Sequence, residues 1–179
     1  MLAGFLVLLT ACGQAAQATQ PKQSDAEKAG ILLRSGMVAH KSGRLAEAAK
    51  DYQKALVYDP KNQWAHYNLG LIEQVQGQNA AAVTDYRAAL EADPTLVSAI
   101  YNLAILRSGA APDEAIDLYR RAISVQPDMA LAHLNLGFLL LAQGKAVEGT
   151  TELRQAATLD PNLKGRVPPT PTPAPAKKK

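Results

Sequence analysis

Four prolines, Pro60, Pro94, Pro127 and Pro161, recur at spacings of 34, 33 and 34 residues, and each closes the same pattern. Aligned on them, the preceding segments read AKDYQKALVYDP, AVTDYRAALEADP, AIDLYRRAISVQP and GTTELRQAATLDP. A fixed period of this length marks a chain of stacked helical units, because one such unit cannot bury its apolar face alone. A stack of that kind presents an extended surface rather than an enclosed catalytic pocket.

Each period divides into two helices. In residues 63–96 the first reads WAHYNLGLIEQVQG and the second NAAAVTDYRAALEAD. Gly77 is expected to end the first, since glycine tolerates the left-handed geometry that follows a helix. Asp93-Pro94 ends the second, because the residue before a proline is pushed out of helical conformation. Gly43 and Gly144 repeat the inter-helix glycine. In the third period Gly109 and Pro112 share that task in a loop one residue shorter, with Pro112 suited to a first helical turn. Upstream, Ser24-Asp25-Ala26-Glu27 has the spacing of a capping box, so the array should begin near Asp25.

These residues resemble the tetratricopeptide repeat. The matching positions are Leu69, Gly70, Gly77, Ala82, Tyr86, Ala89 and Pro94 in one unit. Gly36, Gly43, Ala48, Tyr52, Ala55 and Pro60 match in the unit before it. Leu103, Ala104, Ala115, Tyr119, Ala122 and Pro127 follow, then Leu136, Gly137, Gly144, Ala156 and Pro161. The resemblance implies an all-α superhelix of four helix-turn-helix units, 29–62, 63–96, 97–129 and 130–163, within an array spanning 25–163. Small residues at Gly36, Gly70, Ala104 and Gly137 are expected to let paired helices approach closely, while Tyr52, Tyr86 and Tyr119 fill the space between. The fourth unit has Gly149 and Leu153 in place of the usual Ala and aromatic. It is therefore expected to be the weakest, Gly149 costing about 0.5–1 kcal/mol relative to Ala. With no capping helix after it, its apolar end is expected to favour a homo-oligomer or a docked partner.

In this family the first helix of each unit lines a concave groove. The groove is then expected to show Leu33, Arg34 and Met37, then Trp64, Tyr67, Asn68 and Leu71. Tyr101, Asn102 and Ile105 follow, and Leu134, Asn135 and Phe138 complete it. Asn68, Asn102 and Asn135 form a ladder whose amides carry both donor and acceptor, suited to the backbone of a bound peptide. The implied partner is a protein or peptide. It is not an acidic C-terminus held by the clamp of chaperone-binding members: Leu33, Met37, Ser98 and Asn102 stand where that clamp has Lys, Asn, Lys and Arg. Only Asn68 fits.

Other classes fit poorly. His40, His66 and His133 fall in three different units with no second ligand at metal spacing, so no metal or cofactor is expected. No hydrolase, zincin or phosphate-loop motif is present, so no enzyme is expected either. From Asp25 to Lys164 the chain has 16 acidic and 14 basic residues, too acidic for a nucleic-acid stripe. The formal +3 comes from Lys22, Arg166 and the terminal Lys177, Lys178 and Lys179.

Residues 2–11, LAGFLVLLTA, are apolar and too short for a typical span, but suit a leader. They end in Leu9-Thr10-Ala11-Cys12, which resembles the bacterial lipobox. That resemblance implies removal of residues 1–11 and acylation of Cys12, hence a membrane-anchored envelope lipoprotein. Gly13, rather than Asp, after the cysteine implies outer-membrane sorting with the array facing the periplasm. Residues 12–24 then form the lipidated cysteine and a polar tether, and 164–179 a proline-rich basic tail. The function expected is an interaction adaptor, in the manner of pilus-assembly or secretin factors. The alternative is a tether whose tail engages the cell wall while the array oligomerises.

Overall fold

The computed structural model describes residues 23–167. The expected leader 1–11, Cys12, the expected tether as far as residue 22 and the stretch from Pro168 onward lie outside the described residues. The described chain folds as α1 (Asp25–Lys41), α2 (Leu45–Tyr58), α3 (Gln63–Val75), α4 (Asn79–Ala92), α5 (Val97–Arg107), α6 (Pro112–Val125), α7 (Ala130–Ala142) and α8 (Ala146–Leu159), closed by a 3₁₀ turn, Pro161–Arg166. Each odd-numbered helix pairs with the next as an antiparallel hairpin. Each hairpin also packs on its sequence neighbours, so the units stack in chain order.

Local chemistry sets the element ends. Ser24 caps α1: its side chain accepts from the Glu27 amide at 3.2 Å while the Glu27 carboxylate accepts from the Ser24 amide at 2.8 Å. Gly43, Gly77 and Gly144 hold φ of 74°, 75° and 76°, the left-handed region where a side chain is strained. After Gly77 the Gln78 amide donates back to Glu73 at 2.8 Å and Gly77 itself to Gln74 at 3.0 Å, a Schellman closure. Gly109 does not take this geometry. There the Ala111 amide donates to Arg107 at 2.8 Å and Pro112 opens α6, so the shorter loop turns without a left-handed residue. The aspartates before three of the repeat prolines add a turn of their own. Asp59, Asp93 and Asp160 each accept from the amide two residues on, at 3.3, 2.9 and 3.0 Å.

Paired helices meet at glycine. A Cβ on Gly36 would lie 2.6 Å from the Tyr52 ring, and one on Gly70 2.7 Å from Tyr86. All three repeat tyrosines, Tyr52, Tyr86 and Tyr119, are buried, and the hydroxyls of Tyr86 and Tyr119 meet one helical position of the partner helix. Gln74 accepts from Tyr86 at 2.7 Å, and Ser108 lies 3.2 Å from the Tyr119 hydroxyl. In the first unit that position is His40, whose ring packs edge-on against Tyr52 with centroids 6.5 Å apart. The Tyr52 hydroxyl has no partner there, and burial pushes its phenol up to about 12. In the fourth unit Leu153 replaces the tyrosine and Leu141 takes the facing position, so phenol and polar partner disappear together.

That last exchange corrects the expectation for Gly149. With Leu153 in place of a tyrosine, α7 and α8 draw close enough that a Cβ on Gly149 would lie 2.8 Å from the Gly137 carbonyl oxygen. The glycine is required by the contact, and its lower helix propensity is the cost of that packing. The array end is also less bare than expected. Leu163, in the 3₁₀ turn, is buried with Leu134, Leu153 and Ala156, and Val167 packs at the edge of this cluster. Lys164–Arg166 thus belong to an ordered turn rather than to the tail. Burying a leucine stabilises by roughly 1.5–3 kcal/mol, which offsets part of the cost of ordering this turn.

Two histidines brace the joints between units. His66 Nδ1 lies 2.7 Å from Asp85 on α4 and its Nε2 3.1 Å from the Pro60 carbonyl oxygen of the preceding joint. His133 repeats this with Glu152 at 2.6 Å and Pro127 at 3.0 Å. Beside the first brace, Glu73 has an unpartnered buried oxygen. Burial, and then the neighbouring Asp85 carboxylate, push Glu73 up to about 7. An acid raised in the folded state contributes stability that is full below its unfolded value near 4.5 and is lost as pH rises through about 7. Glu73→Gln should therefore flatten the fall in thermal midpoint between pH 5 and pH 8. An unchanged difference between the two pH values would place Glu73 in solvent.

Candidate partner-binding groove

The 3.6-residue period puts positions i, i+3 or i+4, and i+7 on one helical face. On α5 this face carries Tyr101 and Ile105, continued by the cap residue Ser108; on α7 it carries Asn135, Phe138 and Ala142. Ile105, Ser108, Asn135, Phe138, Leu139 and Ala142, with Tyr119 at the base, line a cavity of 420 Å³ between the two helices. Ser108, Leu139 and Ala142 were not among the expected groove residues. Following each helical face one further turn would have found them.

An apolar ladder runs across the first helices at one repeat position: Met37 on α1, Leu71 on α3, Ile105 on α5 and Phe138 on α7. Met37 is 51% exposed, Phe138 39% and Ile105 37%, while Leu71 is half-buried. Large apolar side chains at equivalent positions of successive units make a continuous exposed stripe, which scattered single residues do not. Trp64 is also exposed, its ring edge-on to Tyr67 with centroids 6.3 Å apart. Arg34 is exposed beside the half-buried Leu33 at the α1 end.

The tyrosines serve two sides. Tyr67 packs on Tyr86 and Tyr101 on Tyr119, each at 6.0 Å between centroids, and both remain half-buried. Leu134, their counterpart on α7, is only 1% exposed because Leu163 and Val167 cover it. It belongs to the core and offers no surface to a partner.

The amide ladder is partly engaged within the array. Asn68 donates to the Trp64 carbonyl of its own helix at 2.7 Å, and Asn135 donates to the Tyr101 hydroxyl at 3.0 Å, joining two units. Each keeps its carbonyl oxygen and a second N–H, and Tyr101, accepting from Asn135, keeps its own proton to donate. Half-buried Asn102 lies between them. Among the described residues no three His, Cys, Asp or Glu side chains gather as a metal site. No described helix is long and apolar enough to cross a membrane.

Comparison with known proteins agrees with this architecture. Two family models match: one described as TPR repeat over residues 36–74 and 113–144, the other as tetratricopeptide repeat over 65–96. Nothing among curated protein sequences matches the chain. Among solved structures, MamA is 23% identical with a TM-score of 0.69, over 75% of this chain and 79% of MamA. YrrB, described as a TPR protein with an unusual peptide-binding site, is 22% identical with a TM-score of 0.71, over 75% of this chain and 70% of its own. The first TPR of Spaghetti (RPAP3), bound to the HSP90 peptide SRMEEVD, is 23% identical with a TM-score of 0.63, over 69% of this chain and 99% of its own. With repeat glycines and buried tyrosines at the positions these models match, residues 36–96 and 113–144 are tetratricopeptide repeats.

Proposed function

We propose that this chain is a lipid-anchored, non-catalytic adaptor of a bacterial envelope that holds an extended segment of a partner protein along α1, α3, α5 and α7. The observation that carries the reading is the exposed ladder Met37, Leu71, Ile105 and Phe138, with unspent donors of Tyr101 and Asn135 beside it. Apolar contacts supply affinity, and the amide and phenol groups fix the backbone of the bound segment. YrrB and RPAP3 associate the same fold with peptides. The lining of α3, α5 and α7 carries no charge where the acidic-peptide clamp needs cations, so a neutral, apolar segment fits better. Assembly of a pilus or secretin is one setting in which an envelope adaptor of this kind would serve.

A photo-crosslinker placed beside the ladder in native envelopes should capture one partner. Ile105→Ser with Phe138→Ser should reduce that capture by about tenfold or more, as loss of central apolar contacts does. Unchanged capture with helicity intact would sink the reading. Anchoring rests on Leu9-Thr10-Ala11-Cys12. In a bacterial host the chain should incorporate labelled palmitate and fractionate with membranes, and Cys12→Ser should abolish both. Labelling that survives the substitution would defeat the lipid anchor.

A further inference from the structure

We propose that the chain's own proline-rich segment, residues 168–175, docks in the groove over α7 and α5 toward α3 and occupies it until a partner displaces it. The proposal rests on the groove reading above and adds an occupant. Its first support is the exit point of the chain. Leu163 and Val167 pack in the cluster that contains Leu134, so the described chain leaves the fold at the α7–α8 end of the array. Arg166 lies within electrostatic reach of the Tyr101 hydroxyl, on which its positive charge acts. The chain beyond Val167 therefore continues from the α7 end of the groove.

The second support is chemical fit. Residues 168–175 read PPTPTPAP, and that proline density favours polyproline II, a backbone with no internal hydrogen bonds. Proline offers carbonyl acceptors and no N–H, so it needs a surface that donates. The groove supplies donors from Asn135 and Tyr101 beside the apolar faces of Ile105 and Phe138. Aromatic-lined grooves bind such segments at low entropic cost, because the ligand is already extended. The segment carries no charge before Lys177, and neither does the cavity lining, so docking strips no ion of water.

The third support is reach. Eight residues in polyproline II span about 25 Å at 3.1 Å each. Ile105 on α5 and Phe138 on α7 line one cavity, so a segment of that length lying over α7 also reaches the facing side of α5.

The test uses a fluorescent synthetic peptide, PPTPTPAPAKKK, against the full chain in detergent and against a chain ended after Val167, which keeps every described helix. The shortened chain should bind the peptide. The full chain should bind it at least about tenfold more weakly, because a segment tethered at millimolar effective concentration competes in cis. Replacing Pro168, Pro169, Pro171, Pro173 and Pro175 by Gly in the full chain should restore binding to the level of the shortened chain. Equal binding by full and shortened chains, or no binding by either, overturns the proposal. So does binding to the shortened chain that Phe138→Ser leaves unchanged. Weakening that grows with protein concentration assigns the site to a second copy's segment and also overturns it. A shortened chain that ignores the peptide yet captures its envelope partner through Ile105 and Phe138 sinks this proposal alone, and leaves the groove reading standing.

Discussion

Tyr86→Ala should destabilise the array by about 3–5 kcal/mol, the range for truncating a fully buried aromatic. The ring is 0% exposed, sits against the bare backbone of Gly70, and packs on Tyr67 at 6.0 Å between centroids. Its hydroxyl donates to Gln74 at 2.7 Å. The cavity left behind has helix backbone for one wall, so it collapses little and the loss falls toward the upper end. Tyr86→Phe keeps the packing and removes one hydrogen bond, so it should cost about 1 kcal/mol. Because each unit is stabilised by its neighbours, the alanine variant should also split urea unfolding into two transitions, with 97–163 persisting longest. A single transition shifted by less than about 1 kcal/mol would mean that Tyr86 is not a keystone of the second unit.

Gly149→Ala should destabilise by about 1–3 kcal/mol, even though alanine is the better helix former. Two effects oppose each other. Alanine gains roughly 0.5–1 kcal/mol in helix propensity. Against this, its Cβ would lie 2.8 Å from the Gly137 carbonyl oxygen and 2.9 Å from Leu141 Cγ. The leucine side chain can shift, but the carbonyl belongs to the facing helix backbone, so relief requires α7 and α8 to part. Parting them would loosen Leu153, which is 0% exposed between them. The clash therefore wins, and the thermal midpoint should fall. A rise would show that α7 and α8 sit further apart.

Much of this was legible in the sequence. The period of the prolines, the left-handed glycines Gly43, Gly77 and Gly144, and the Ser24 capping box depend on local backbone chemistry, which a few adjacent residues specify completely. Gly36, Gly70 and Gly137 were legible for a related reason, since absence of a side chain at a repeated buried position has one common meaning. Gly149 carries the same letter, and its local reading, a weak helix residue, missed its role. That role depends on Leu153 being smaller than tyrosine, and so on how far two helices close on each other.

The groove shows the same division. Ladder positions Met37, Leu71, Ile105 and Phe138 follow from helical periodicity within a repeated unit. Which of them stay open depends on what packs nearby. Leu134 repeats the position of Tyr67 and Tyr101 but is buried, because a non-repeating turn folds back over it through Leu163. Asn68 and Asn135 look alike in the sequence, yet one donates along its own helix and the other across to the next unit. By itself, the sequence determined the units, their boundaries and their order, because those rest on short-range dihedral and capping preferences. Only the tertiary structure decided the spacing of α7 and α8, the closing of the array end and which groove side chains remain free, because each is a contest between contacts far apart in the chain.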